Sequence, residues 1–177
     1  MTDSVIVSAP GSTLITGEHA VIYGAPCIVA AIEQRATVEL CHTDKPRLRI
    51  TSQIAPPADL SLSDLAVSGP YRFVIAAVLM YREALPGGLR IEIRSEINHT
   101  LGLGSSAAIT MAVLAALEGA APDDLHDRGL RIIRDIQGRG SGADLAASLH
   151  GGVMSYRISA DGPGAVAPLR LPPQMSL

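Results

Sequence analysis

The segment Ser105–Gly119, Ser-Ser-Ala-Ala-Ile-Thr-Met-Ala-Val-Leu-Ala-Ala-Leu-Glu-Gly, limits what this chain can fold into more than any other. Ala, Leu and Met favour helix, and apolar side chains occupy nearly every side of the cylinder, so no face is left for water. Such a helix is stable only inside layers of other elements. The segment therefore predicts a central buried helix with the remaining chain wrapped around it. Its continuous apolar run, Ala107–Leu117, is too short to span a bilayer. Aliphatic residues must supply the core, because 47% of the chain is hydrophobic but it contains one Phe, four Tyr and no Trp.

Around that helix the pattern predicts strands at Ser4–Ala9, Pro26–Ile32, Ala36–Cys41, Leu48–Thr51, Leu89–Ile93 and Val153–Ile158. Pro10-Gly11 reads as a turn that ends the first strand. Gln53–Ser68, with two adjacent prolines, reads as loop. Tyr71–Leu85 lies between Pro70 and Pro86-Gly87-Gly88 and predicts a helix. Asp123–Gln137 and Ala143–His150 predict two more, joined by the Gly-rich turn Gly138–Gly142. Strands and helices do not alternate regularly, so an α+β architecture is expected. Residues 1–160 read as one domain and 161–177, rich in Pro and Gly, as a linker-like tail.

A formal net charge of −3 and the lack of any basic run argue against nucleic-acid and membrane partners. Cys27 and Cys41 show no metal-ligand spacing and are expected as reduced thiols. The first residues lack a signal-like pattern, so a cytoplasmic location is expected.

Three segments carry candidate chemistry. Leu101-Gly102-Leu103-Gly104-Ser105-Ser106-Ala107-Ala108 is a glycine loop opening the buried helix. Its glycines let backbone approach a ligand, and a helix start offers free amides and a positive dipole end to an anion. A side chain at Gly104 would intrude where phosphate must approach. Taken alone, the loop is equally compatible with a plain Gly-Ser helix start. Glu18-His19, after Gly17, is a polar pair in apolar surroundings and reads as either a structural or a functional pair. Asp144 sits at a helix start, where the dipole alone would favour a carboxylate.

Together these segments resemble the GHMP kinase superfamily, most closely its mevalonate kinase branch. Ala9-Pro10-Gly11-Ser12 followed by Gly17-Glu18-His19-Ala20-Val21-Ile22-Tyr23-Gly24 is similar to that branch's first motif, Gly102–Ala108 to the central motif, and Ser141-Gly142-Ala143-Asp144 to the third. The resemblance implies a mixed sheet packed against helices, with a left-handed β-α-β element, and an absent C-terminal GHMP domain, since the family's linker to that domain begins near Leu177. It implies ATP phosphates on Gly102, Leu103, Gly104, Ser105, Ser106 and Ala107, Mg²⁺ on Ser106, Asp144 as the base that takes the hydroxyl proton, and Glu18, His19 and Ser141 at the substrate. The implied reaction is phosphoryl transfer from ATP to the hydroxyl of a small hydroxy acid, mevalonate first, with phosphomevalonate or another GHMP kinase substrate as the alternative. A non-catalytic nucleotide- or partner-binding role is the competing class. A homodimer or a separate C-terminal-domain partner would complete the assembly.

Three positions depart from the family pattern. Ser12 stands where the family has lysine, with Arg139 as the nearest candidate replacement. Ile133 stands where mevalonate kinases have a Mg²⁺-binding Glu, with Asp135 two positions away. Asn98-His99-Thr100 stands where a proline is usual.

Overall fold

The computed structural model describes residues 4–118, 122–159 and 164–171. Seven strands among these residues form one sheet: β1 (Ser4–Thr16), β2 (Cys27–Thr43), β3 (Arg47–Ser52), β4 (Ala58–Ser61), β5 (Gly88–Ser95), β6 (Val153–Arg157) and β7 (Ala165–Leu169). Four helices accompany it: α1 (Arg72–Tyr81), α2 (Ser105–Glu118), α3 (Pro122–Gln137) and α4 (Ala143–His150). The sheet is mixed, with β3 and β5 parallel and every other pair antiparallel. The crossover from β3 to β5 passes through α1, a β-α-β unit inside an α+β fold.

The long strand β2 organises the sheet. One edge pairs with β1 along most of its length; the other carries β5 at its C-terminal half and β6 at its start. Alternation decides which face is covered. In β5, Leu89, Ile91 and Ile93 are buried while the alternating Arg90, Glu92 and Arg94 are exposed or half-buried, the period of a sheet with one wet face. The apolar face meets α2, which is buried along its length from Ala107 to Leu114, so the helix with no polar side is the centre of the core. Helices α1, α3 and α4 pack against α2 in turn. None of the described helices is long and apolar enough to cross a membrane.

Several boundaries differ from the sequence reading. Pro10-Gly11 does not end the first strand, because β1 continues to Thr16. A proline is tolerated there because β1 lies at the sheet edge, where a missing N–H breaks no second ladder. The two strands expected between Pro26 and Cys41 are one, since Glu33, Gln34 and Arg35 stay extended. Part of the expected loop forms β4, held to β3 by Arg47 and Arg49 on Asp59. Within the expected tail, Ala165–Leu169 adds β7 to the edge of β6, while 160–163, 172–177 and Gly119 lie outside the described residues.

Leu114 is fully buried in α2. Leu114→Ala should therefore destabilise the chain by about 2–5 kcal/mol through lost burial and a residual cavity. The shift in urea midpoint at unchanged slope measures it.

Candidate active site

A break in strand register begins the site. Pro10 pairs with Arg35, but Ser12, two residues on, pairs with Ala31. The kink turns the Gly11–Ser12 backbone toward the glycine loop, and the Ser12 amide donates to the Leu103 carbonyl at 3.0 Å. Gly11 has no room for a side chain: a Cβ there would lie 2.7 Å from the same carbonyl. On the other side, the buried Ser148 hydroxyl of α4 donates to the Pro10 carbonyl at 2.9 Å. The sequence reading passed over Ser148, since a serine in mid-helix carries no signal of a partner 138 positions away.

Ser12 is fully buried, and its Oγ donates to Asp144 Oδ1 at 2.8 Å. Ser12 thus joins the glycine loop to Asp144. The cleft between them is lined by Ser106, Ala107, Ile133, Ser141, Asp144 and Leu145. A larger hollow near His150, Met154 and Leu169 contains no residue of the glycine loop, so the smaller cleft, lined from both the glycine loop and the Asp144 segment but not by Glu18 or His19, is the candidate site.

The glycine loop has the conformation an anion site needs. Gly102 and Gly104 adopt φ of +68° and +66°, values costly for residues with a Cβ. The first intrahelical bond of α2 runs from the Ala108 amide to the Gly104 carbonyl. The amides of residues 105–107 therefore have no acceptor within the helix. A Cβ at Gly102 would meet open space, whereas one at Gly104 would overlap Ser12 Oγ. Glycine at 104 is thus required to clear Ser12, a constraint separate from any phosphate. Where the family has proline, Asn98 Oδ1 accepts from both the amide and the hydroxyl of Thr100, at 3.0 and 2.8 Å. This local turn ties down the start of the loop.

Asp144 lies in the first turn of α4. Burial raises its pKa above the ordinary value of 3.8; the Ser12 hydrogen bond opposes the rise and the charge of Glu18 adds to it. Glu18 is therefore electrostatically within reach of Asp144. Both Glu18 and His19 are exposed on the turn after β1, which is anchored by the buried Val21. Ser141 lines the cleft, and its Oγ accepts from the Ala143 amide.

Neither proposed stand-in reaches the cleft. Ile133 lines it, while Asp135, about 200° further around a regular helix, lines a separate hollow with Arg131 and Arg134. Arg139 is exposed and is not among the cleft-lining residues. Lys45 follows Thr43 at the far end of β2, whereas Ser12 pairs at Ala31; at roughly 3.3 Å per residue the separation is about 40 Å. No group of three or more His, Cys, Asp or Glu side chains among the described residues could hold a metal. A Mg²⁺ arriving with nucleotide phosphates would find the Ser106 side chain at the cleft as one candidate ligand, since Mg²⁺ commonly keeps waters and phosphate oxygens. The site does not fit a metal held by protein carboxylates alone.

A glycine loop capping a buried helix thus lies beside a partly buried Asp on a mixed sheet. The family model described as the GHMP kinases N terminal domain matches residues 72–152, and the chain is similar to the GHMP kinases over that span. Its similar proteins include the mevalonate kinases of Methanothermobacter thermautotrophicus, 35% identical over 83% of this chain and 48% of the relative, and of Archaeoglobus fulgidus, 36% identical over 84% of this chain and 51% of the relative. The crystal structure of the Methanococcus jannaschii mevalonate kinase shares the fold with a TM-score of 0.81 at 23% identity, over 95% of this chain and 56% of that one. The chain thus spans about half the length of the curated relatives it matches.

The raised pKa of Asp144 fixes the sign of a pH effect. The folded chain holds this proton more tightly than the unfolded chain, so the linked stability is fully present below about pH 3.8 and is lost as pH rises through the folded-state pKa. Asp144→Asn keeps an acceptor for Ser12 and removes that loss. The variant should be more stable than the parent at neutral pH, and thermal melts should show the gap closing toward acid pH.

Proposed function

We propose that this chain binds Mg-ATP at the glycine loop and transfers the γ-phosphoryl group to the hydroxyl of a small hydroxy acid, with mevalonate the first candidate. The observation that carries the reading is the Ser12 junction, which brings the loop and Asp144 to one cleft. The amides of residues 105–107 and the dipole of α2 bind the phosphates. Asp144 accepts the hydroxyl proton as the substrate oxygen bonds to the γ-phosphorus and the bond to the β–γ bridging oxygen breaks, releasing ADP. Its raised pKa makes it the stronger base. Mg²⁺ held with the nucleotide at Ser106 would neutralise phosphate charge. Glu18, His19 and Ser141 are assigned to the substrate. The mevalonate preference comes from the named relatives and from the Gly17–Gly24 segment; phosphomevalonate remains the alternative acceptor.

The location assigned with this reading is the cytoplasm, in keeping with the free thiols of Cys27 and Cys41. A second half of the enzyme, in the same or a separate chain, or a homodimer, would close the cleft over its ligands.

Binding and turnover separate in this site. Ser12 offers a hydroxyl where the family has a cation, and Ile133 offers no oxygen. Loss of one electrostatic contact to the transferring group commonly costs about a hundred-fold or more in rate. Turnover should therefore be slow, and Ser12→Lys should raise it. Asp144→Asn should lower kcat far more than it changes ATP affinity. Gly102→Val, whose side chain enters the open space of the loop, should weaken Mg-ATP at least tenfold by calorimetry. Unchanged affinity in a folded Gly102→Val protein would reject the nucleotide assignment. ATP consumption against mevalonate, phosphomevalonate and related hydroxy acids tests the acceptor.

A further inference from the structure

The carboxylate assigned as base rests on a short helix after a glycine-rich turn, and such a turn does not define its own position. Gly138 and Gly142 both have positive φ, 72° and 89°. Outside the turn, two buried side chains grip it from different elements. The Tyr156 hydroxyl, from β6, donates to the Ser141 carbonyl at 2.7 Å. The His126 Nε2, from α3, lies 3.1 Å from the Gly142 carbonyl. A carbonyl only accepts, so His126 holds its proton on Nε2. The Gly142 backbone is pressed against both: a Cβ there would lie 2.7 Å from the Tyr156 oxygen and 3.1 Å from His126 Nε2. The two rings stand 5.7 Å apart.

His126 is costly as a packing residue. It is 4% exposed, and its Nδ1 is the buried side-chain polar atom among the described residues without a hydrogen-bond partner. An unsatisfied buried group costs about 1–3 kcal/mol, and an apolar side chain would fill the same space without that penalty. What His126 supplies in return is the hydrogen bond to Gly142. Tyr156 is a dependable donor, since burial foremost pushes its pKa up to about 12. Asp144 follows these two carbonyls by two and three residues.

We infer that His126 and Tyr156 are positioning residues for Asp144: by fixing the Ser141 and Gly142 carbonyls they set where α4 begins, and hence hold the carboxylate against Ser12 beside the glycine loop. The proposal rests on the kinase reading for the role of Asp144, but not for the geometry it describes. The Ala146 amide, which donates to the Gly142 carbonyl at 2.9 Å, reports that geometry directly.

The test uses the full chain with Tyr156→Phe, His126→Phe and His126→Gln, the last retaining a donor near the position of Nε2. Hydrogen exchange is read at Ala146 and at core amides of β2 and β5. Positioning predicts that Tyr156→Phe and His126→Phe accelerate exchange at Ala146 at least tenfold more than at the core amides, and that His126→Gln restores much of the protection. With turnover measured in parallel, kcat should fall at least tenfold in both Phe variants, the KM for ATP should stay within twofold, and His126→Gln should recover rate. Exchange that rises equally at all sites, or at none, would overturn the proposal, as would a KM change without a kcat change. If the parent chain shows no phosphoryl transfer while Ala146 responds as described, the kinase reading fails and the positioning of the turn stands. Tyr156→Phe removes a single oxygen, so it decides the matter even where a His126 variant fails to fold.

Discussion

The structure of the site depends on one serine used twice. Through its amide Ser12 holds the glycine loop, and through its hydroxyl it holds Asp144, 132 positions away in sequence. Neither bond is possible unless the surrounding backbone comes unusually close. That explains two glycines at once: a side chain at Gly11 would strike the Leu103 carbonyl, and one at Gly104 would strike the Ser12 hydroxyl. The register break in β1 provides the bend, the sheet edge tolerates Pro10, and Ser148 pins the Pro10 carbonyl to α4. Buried polar groups that are fully bonded specify a unique arrangement, and here the arrangement is the convergence of loop, strand and base.

The same serine divides the family's chemistry into what this chain keeps and what it changes. The loop amides, the helix dipole and the carboxylate are present. Among the described residues no Lys or Arg lines the cleft, and the magnitudes show which consequence matters. A unit charge about 4 Å from a phosphoryl oxygen is worth about 4 kcal/mol at an effective dielectric near 20, whereas a neutral hydrogen bond contributes about 1 kcal/mol net. In the proposed phosphoryl transfer, charge builds on the transferring group in the transition state, so the difference would fall on rate more than on affinity.

Much of this was legible in the sequence, for identifiable reasons. The all-apolar α2 had to be central, whereas its glycine-rich start took on meaning only through the resemblance of the whole motif. Asp144 and Ser106 were marked by the resemblance of their motifs to the family's, and both line one cleft. The limits were also physical. Strand β1 ran through Pro10-Gly11 because an edge strand does not need every N–H, a fact visible only once pairing is known. Strand β7 was read as tail because Pro and Gly carry no apolar period, although pairing to β6 makes it part of the sheet. Ser148, His126 and Tyr156 act through contacts across the fold with backbone carbonyls, which leave no trace in local pattern. Arg139 was near in sequence and far in function, because its turn exposes it.

The central claim is that the glycine loop, Ser12 and Asp144 form one nucleotide site. Amide chemical-shift mapping during a Mg-ATP titration of the isotopically labelled chain tests it most directly. The account predicts saturable shifts concentrated at Gly102–Ala107, Ser12 and the first turn of α4, with the wet face of β3 and β5 silent. Saturable binding that leaves Gly102–Ala107 unmoved, or no binding at millimolar nucleotide, would contradict it.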